Sequence, residues 1–104
     1  MASAPSSLIR LLPKAELHLH LEGAIEPATL RELRHRHGKS STAAEVQQLY
    51  RYDDFTGFLM AFKTVTDDLQ TPEDYELITY RLMENLKAQK ILHAEVYITI
   101  NIYL

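Results

Sequence analysis

Ala15-Glu16-Leu17-His18-Leu19-His20-Leu21 alternates without a break. Ala15, Leu17, Leu19 and Leu21 take one parity, and Glu16, His18 and His20 the other. A period of two over seven residues is the signature of a strand with one apolar and one polar face. Gly23 interrupts the pattern. Pro27 then suits the first turn of a helix whose buried stripe includes Leu30 and Leu33. Gly38-Lys39-Ser40-Ser41 ends that helix.

Outward from this opening, further helices follow. Thr42 with Glu45 three residues on forms a capping-box pattern for a short helix to about Tyr50. Asp53 or Asp54 caps the next, whose Phe55, Phe58, Leu59, Phe62, Val65 and Leu69 keep helical spacing. Thr71-Pro72-Glu73-Asp74 is the strongest start signal: a capping residue, a proline in the first turn and acids near the N-terminus. That helix is expected to run to about Lys90 and to bury Tyr75, Ile78, Leu82 and Leu86. Residues 92–102 alternate again, with Leu92, Ala94, Val96, Ile98, Ile100 and Ile102 against His93, Glu95, Tyr97, Thr99 and Asn101. Two strands joined by a long helical crossover are expected to lie parallel in a right-handed unit. The fold class is therefore α/β.

Composition bounds the function. A chain of 104 residues suffices for one small core, and 46% hydrophobic with 24% charged residues is ordinary for a globular protein. The net charge is −3, and the nearest approach to a basic cluster, Arg31, Arg34, Arg36 and Lys39, contains Glu32. A nucleic-acid polymer calls for a concentrated basic face, so none is expected as partner. No apolar run approaches the ~20 residues of a membrane-spanning helix. Absence of cysteine excludes disulfides and thiolate metal sites. Residues 1–8 read as a loose polar leader without secretory features, residues 9–104 as the folded part, and the compartment as cytoplasmic.

His18 and His20 carry the chemistry. Residues two apart on a strand project to the same face, roughly 7 Å apart at their roots. Imidazoles at that spacing can converge on one ion at ~2.0–2.1 Å per bond. On its own a His-x-His pair is more often surface or hydrogen-bonded histidine. Glu16 shares the parity but lies at the start of the strand, where a structural pairing is expected, and the same holds for Glu95. His93 sits at the end opposite the site. His35 and His37 close a helix, where histidines commonly meet terminal carbonyls, and their spacing is poor for sharing a metal.

The wider stretch Leu12-Pro13-Lys14-Ala15-Glu16-Leu17-His18-Leu19-His20-Leu21-Glu22-Gly23-Ala24 resembles, nearly letter for letter, the N-terminal signature of the adenosine deaminase family. Ile25-Glu26-Pro27-Ala28-Thr29-Leu30 continues the resemblance. Phe58-Leu59 and Phe62 look like the family's helix over the substrate pocket, and Ala94-Glu95-Val96 like the start of its second barrel strand. Ile100-Asn101-Ile102-Tyr103-Leu104 departs from the pattern.

The resemblance implies the N-terminal portion of a (β/α)8 TIM barrel, about two of eight strands with the intervening helices. A whole barrel takes about 250 residues, so this chain is expected to be too short for the complete enzyme. His18 and His20 would be the first two ligands of Zn2+. His20, Glu22, Gly23, Phe58, Leu59 and Phe62 would meet the substrate, a small-molecule purine nucleoside. The implied reaction is hydrolytic deamination at C6 of adenosine or a near relative. A third histidine, a carboxylate ligand and the catalytic glutamate would lie downstream, so no catalytic residue is expected within this chain, which would be inactive alone. Aminodeoxyfutalosine and adenine are alternative substrates; residues 71–80 resemble bacterial members acting on the former. The competing expectation is a truncated remnant that does no chemistry. The oligomeric state is not legible here.

Overall fold

The structure, a computed structural model, describes residues 3–98. Along the chain lie helix α1 (Ser3–Leu11), strand β1 (Lys14–His20), a 3-10 turn (Glu22–Ala24), helices α2 (Pro27–Arg36), α3 (Ala43–Leu49), α4 (Phe55–Thr66) and α5 (Pro72–Ala88), and strand β2 (Ile91–Tyr97). The two strands pair in parallel. The residues from 99 onward assigned above to the second strand lie outside the described residues.

Local chemistry sets the helix boundaries. Thr42 and Thr71 each form a complete capping box, with Glu45 and Asp74 respectively at the third helical position. Asp54, not Asp53, caps α4, accepting from the Gly57 N–H at 2.7 Å. Gly38 at φ 78 stands just beyond the C-cap of α2, a left-handed position that favours glycine. Where the sequence reads as a loose polar leader over 1–8, Ser3–Leu11 is helical. Lys14 ties its end down, donating from Nζ to the carbonyls of Ile9 (2.5 Å) and Leu12 (2.9 Å).

The core gathers Leu21, Ile25, Leu30, Leu33, Val46, Val65, Leu69, Ile78, Leu82 and Leu86, drawn from every helix after α1 and from the loops between them. Leu19, Ala94 and Val96 bring the sheet against it. Tyr75, expected to be buried, is only half-buried.

One irregularity in β1 matters for the site. Glu16 pairs with Ala94 and Leu19 with Val96, so three steps on β1 oppose two on β2. The extra residue shifts the phase of the strand. Lys14 and Glu16 are half-buried on one side of the slip, and Leu19 is half-buried on the other, between exposed His18 and His20. Glu16 therefore does not share a face with the histidines, contrary to the unbroken alternation of the sequence. Leu17 loses its cover for the same reason and is 62% exposed. The apolar face of the sheet is thus only partly covered, with Leu92 of β2 also open.

Candidate metal centre

His18 and His20 stand at the C-terminal end of β1, on the side of the strand away from Leu19 and the core. Their Nε2 atoms approach to 3.1 Å. Two zinc ligands at 2.0–2.1 Å and a tetrahedral angle would lie about 3.3–3.4 Å apart. The pair thus fits a shared metal ion with a shift of a few tenths of an ångström. Among the described residues, neither nitrogen is tied to a carboxylate or a carbonyl in a way that would point it elsewhere. Among the described residues no third histidine or carboxylate completes a metal-binding group. The chain's own contribution is two imidazole nitrogens, a donor type suited to zinc or another borderline cation.

A third ring completes the cluster. Tyr97, the register partner of His20 on β2, lies 4.8 Å from His18 and 5.5 Å from His20 between ring centroids. Its carbonyl accepts the Leu21 N–H at 2.9 Å, which fixes the two strand ends side by side.

The chain then turns sharply through Glu22 to Ala24, and this turn joins the histidines to a pocket. Glu22 is 1% exposed, and Tyr75 of α5 donates its hydroxyl to Glu22 Oε2 at 3.2 Å. A buried carboxylate needs such donors. A methyl group placed on Gly23 would sit 3.6 Å from His20 Cβ and 3.6 Å from Phe62 Cε2, so this glycine separates the imidazole from the aromatic wall. Glu22, Gly23, Phe58 and Phe62 line a small pocket of about 70 Å³ together with Tyr50, Tyr52 and neighbouring aliphatic residues. Leu59, expected to face substrate, is outside that lining and 48% exposed, and Phe55 is 72% exposed. Larger depressions, of about 510 and 570 Å³, lie along α5 and β2, are not lined by His18 or His20, and are open to solvent.

Sequence reasoning missed Tyr50, Tyr52, Tyr75 and Tyr97. For Tyr97 a signal existed: it shares the polar parity of β2, and parallel pairing sets it beside His20. Tyr75 reads as one more core residue of α5, because spacing cannot show that its hydroxyl reaches a carboxylate 53 positions earlier. His37 was expected to meet terminal carbonyls. Its backbone does bond to the Arg34 carbonyl, but its Nε2 bonds Asp74 Oδ2 at 2.6 Å. His93 and Glu95 meet each other at 3.3 Å, both exposed.

Tyr50 has its own electrostatic signature. Its hydroxyl donates to the Ile25 carbonyl at 2.5 Å. Burial pushes its pKa up from 10.0 to about 12; Arg34 opposes the rise, while Asp68 and Glu26 add to it. The neutral phenol is favoured in the fold, so its stabilising contribution is full below pH 10.0 and is lost as pH rises through about 12. An alkaline titration followed by tyrosinate absorbance should show a late-ionising component that is absent in Tyr50→Phe. The same late component in wild type and Tyr50→Phe would contradict the burial of this hydroxyl.

The adenosine deaminase family profile matches residues 13–103. The chain belongs to the adenosine deaminase family. It is 38% identical over 96 residues to the aminodeoxyfutalosine deaminase of Streptomyces avermitilis, a match covering 89% of this chain and 27% of that protein. It is 33% identical over 95 residues to the adenine deaminase of Vibrio parahaemolyticus, covering 88% and 28%. The crystal structure of adenine deaminase from Arthrobacter aurescens superposes with a TM-score of 0.76 at 31% identity, over 83% of this chain and 27% of that one. The N6-methyl-AMP deaminase of Arabidopsis thaliana gives 0.69 at 24% identity, over 88% and 28%, a likeness of fold. The chain spans little more than a quarter of the length of these relatives. Its two parallel strands and their helices match the N-terminal part of a TIM-barrel deaminase fold. Those relatives of 31–38% identity are named adenine and aminodeoxyfutalosine deaminase rather than adenosine deaminase.

Proposed function

We propose that this chain supplies the first two metal ligands and one wall of the purine pocket of a zinc-dependent deaminase. The observation that carries the reading is the 3.1 Å approach of His18 and His20 Nε2 at the strand end that leads directly into Glu22 and the pocket. In parallel-strand barrels, active sites are built at the C-terminal ends of the strands.

The overall reaction adds water at C6 of a 6-aminopurine, breaks the C6–N bond and releases ammonia. A bound zinc ion would supply Lewis acidity, bringing the pKa of water to near 7. The residues of this chain would do the rest of the local work. His18 and His20 hold the metal, the Glu22 carboxylate accepts hydrogen bonds from the polar edge or sugar of the ligand, and Phe58 and Phe62 give the ring an apolar surface. The family's acid–base glutamate has no counterpart in the described site, so chemistry is assigned to an assembly larger than this chain. The substrate class is adenosine or a near relative. The names of the similar proteins bring adenine and aminodeoxyfutalosine forward as specific members of that class.

The test is metal content together with ammonia release from adenine, adenosine and aminodeoxyfutalosine, on this chain and on any longer product of the same locus. Turnover with one of the three, lost on chelation of zinc and restored by its return, is the expected result for an active product. A longer product that holds zinc yet deaminates none of the three would remove the purine reading.

A further inference from the structure

We propose that Tyr97 is the positioning residue of the His18–His20 pair, its ring holding both imidazoles so that their Nε2 atoms converge. This rests on the reading of that pair as metal ligands. Both histidines are exposed and lie on the unpacked side of β1, where an imidazole ordinarily samples several rotamers. Their 3.1 Å hydrogen bond draws the two Nε2 atoms together only when both rings hold the matching rotamers, and that needs a restraint. Tyr97 provides one. It stands opposite His20 in the parallel register, and its backbone is fixed by the Leu21 N–H. Its ring lies 4.8 Å from His18 at 41° and 5.5 Å from His20 at 32°. These separations fall in the range of favourable aromatic pairs. The two imidazoles are themselves 5.1 Å apart between centroids, so the three rings form one mutually touching group.

The other properties of Tyr97 agree with such a role. It is 48% exposed and does not belong to the core cluster, so packing of the fold does not account for its place. The contact is between tilted rings, at 41° and 32°, so phenylalanine should serve as well. A restraint of this kind acts before metal arrives: it removes rotamer freedom that binding would otherwise have to remove. The gain is in affinity, without an additional ligand bond.

The experiment is titration of the purified 104-residue chain with Zn(II), in competition with a chromophoric chelator. Cu(II) serves as a second, tighter-binding probe. Wild type, His18→Ala, Tyr97→Phe and Tyr97→Leu are compared. Tyr97→Leu should weaken binding about 3–10-fold, the scale of aromatic pair contacts, with an unchanged melting temperature. Tyr97→Phe should stay within about twofold of wild type. The upfield ring-current shifts of the His18 and His20 carbon-bound protons should be present in wild type and Tyr97→Phe and absent in Tyr97→Leu. Wild-type affinity in Tyr97→Leu would overturn the positioning role, as would equal losses in the Phe and Leu variants. If His18→Ala binds as tightly as wild type, or wild type takes up neither ion, the metal reading of the pair fails instead. Should Tyr97→Leu not fold, missing ring-current shifts in the wild-type spectrum would overturn the proposal and their presence with intact Tyr97→Phe binding would support it.

Discussion

Replacing His18 or His20 with alanine should lower zinc affinity by more than about 100-fold while leaving the fold intact. Removing a group that merely orients a metal ligand typically costs 10–100-fold in affinity, and loss of a ligand itself must exceed that. The effect should be large here because the described residues offer no third histidine or carboxylate to take over. Both side chains are exposed, so truncation opens no cavity in the core. Protons and metal compete for the same nitrogens, so wild-type affinity should also fall as the solution is made more acidic. Competition titration at two or three pH values checks both statements, with a thermal melt as control. A variant that binds zinc as wild type does would show that the 3.1 Å approach is a hydrogen bond between two tautomers and nothing more.

What the sequence made legible follows the range of the forces involved. Caps are local: Thr42 with Glu45 and Thr71 with Asp74 are read directly and form as read, because each box closes within four residues. Strand existence and parallel pairing are also legible, since alternation and a long helical crossover leave few topologies. The phase slip in β1 is not. It depends on which residue of β2 each residue of β1 meets, and it moves Glu16 away from the histidine face and opens Leu17. The aromatic stripe of α4 shows the same limit. Spacing groups Phe55, Phe58, Leu59 and Phe62 on a helix, but only Phe58 and Phe62 reach the pocket lining. In the site, the histidine pair and Glu22-Gly23 are visible in the primary structure because they are consecutive on one strand and turn. Tyr75 and Tyr97 come from elements more than 50 positions away, and no periodicity encodes that meeting.

The same long-range logic makes Asp74→Asn the most destabilising polar substitution expected in this chain, at about 3–5 kcal/mol, the scale of breaking a buried charge pair. Asp74 is 1% exposed, yet it is the meeting point of α2 and α5. Its Oδ2 accepts the backbone N–H groups of Gln70 (2.9 Å) and Thr71 (3.1 Å) and the imidazole of His37 (2.6 Å). Its Oδ1 lies 3.5 Å from the Arg36 guanidinium. Burial by itself would raise the pKa of this carboxyl. The Gln70 N–H, the His37 bond and the Thr71 N–H outweigh it and hold the pKa below its ordinary value of 3.8. An amide in its place has one acceptor and presents N–H donors to neighbours that are themselves donors. The sign of the pH dependence follows. A carboxyl whose folded pKa is depressed contributes stability that is present above its unfolded pKa and is lost as pH falls through the folded one. The part of the stability gap between wild type and Asp74→Asn that comes from this carboxylate should therefore narrow as pH falls below 3.8. Denaturant melts of both proteins across that range measure it. A variant within about 1 kcal/mol of wild type at neutral pH, the scale of an ordinary hydrogen bond, would mean that Asp74 caps α5 without clamping the two helices. Because α5 also carries Tyr75, the partner of Glu22, such a result would leave the pocket wall without the anchor that this geometry gives it.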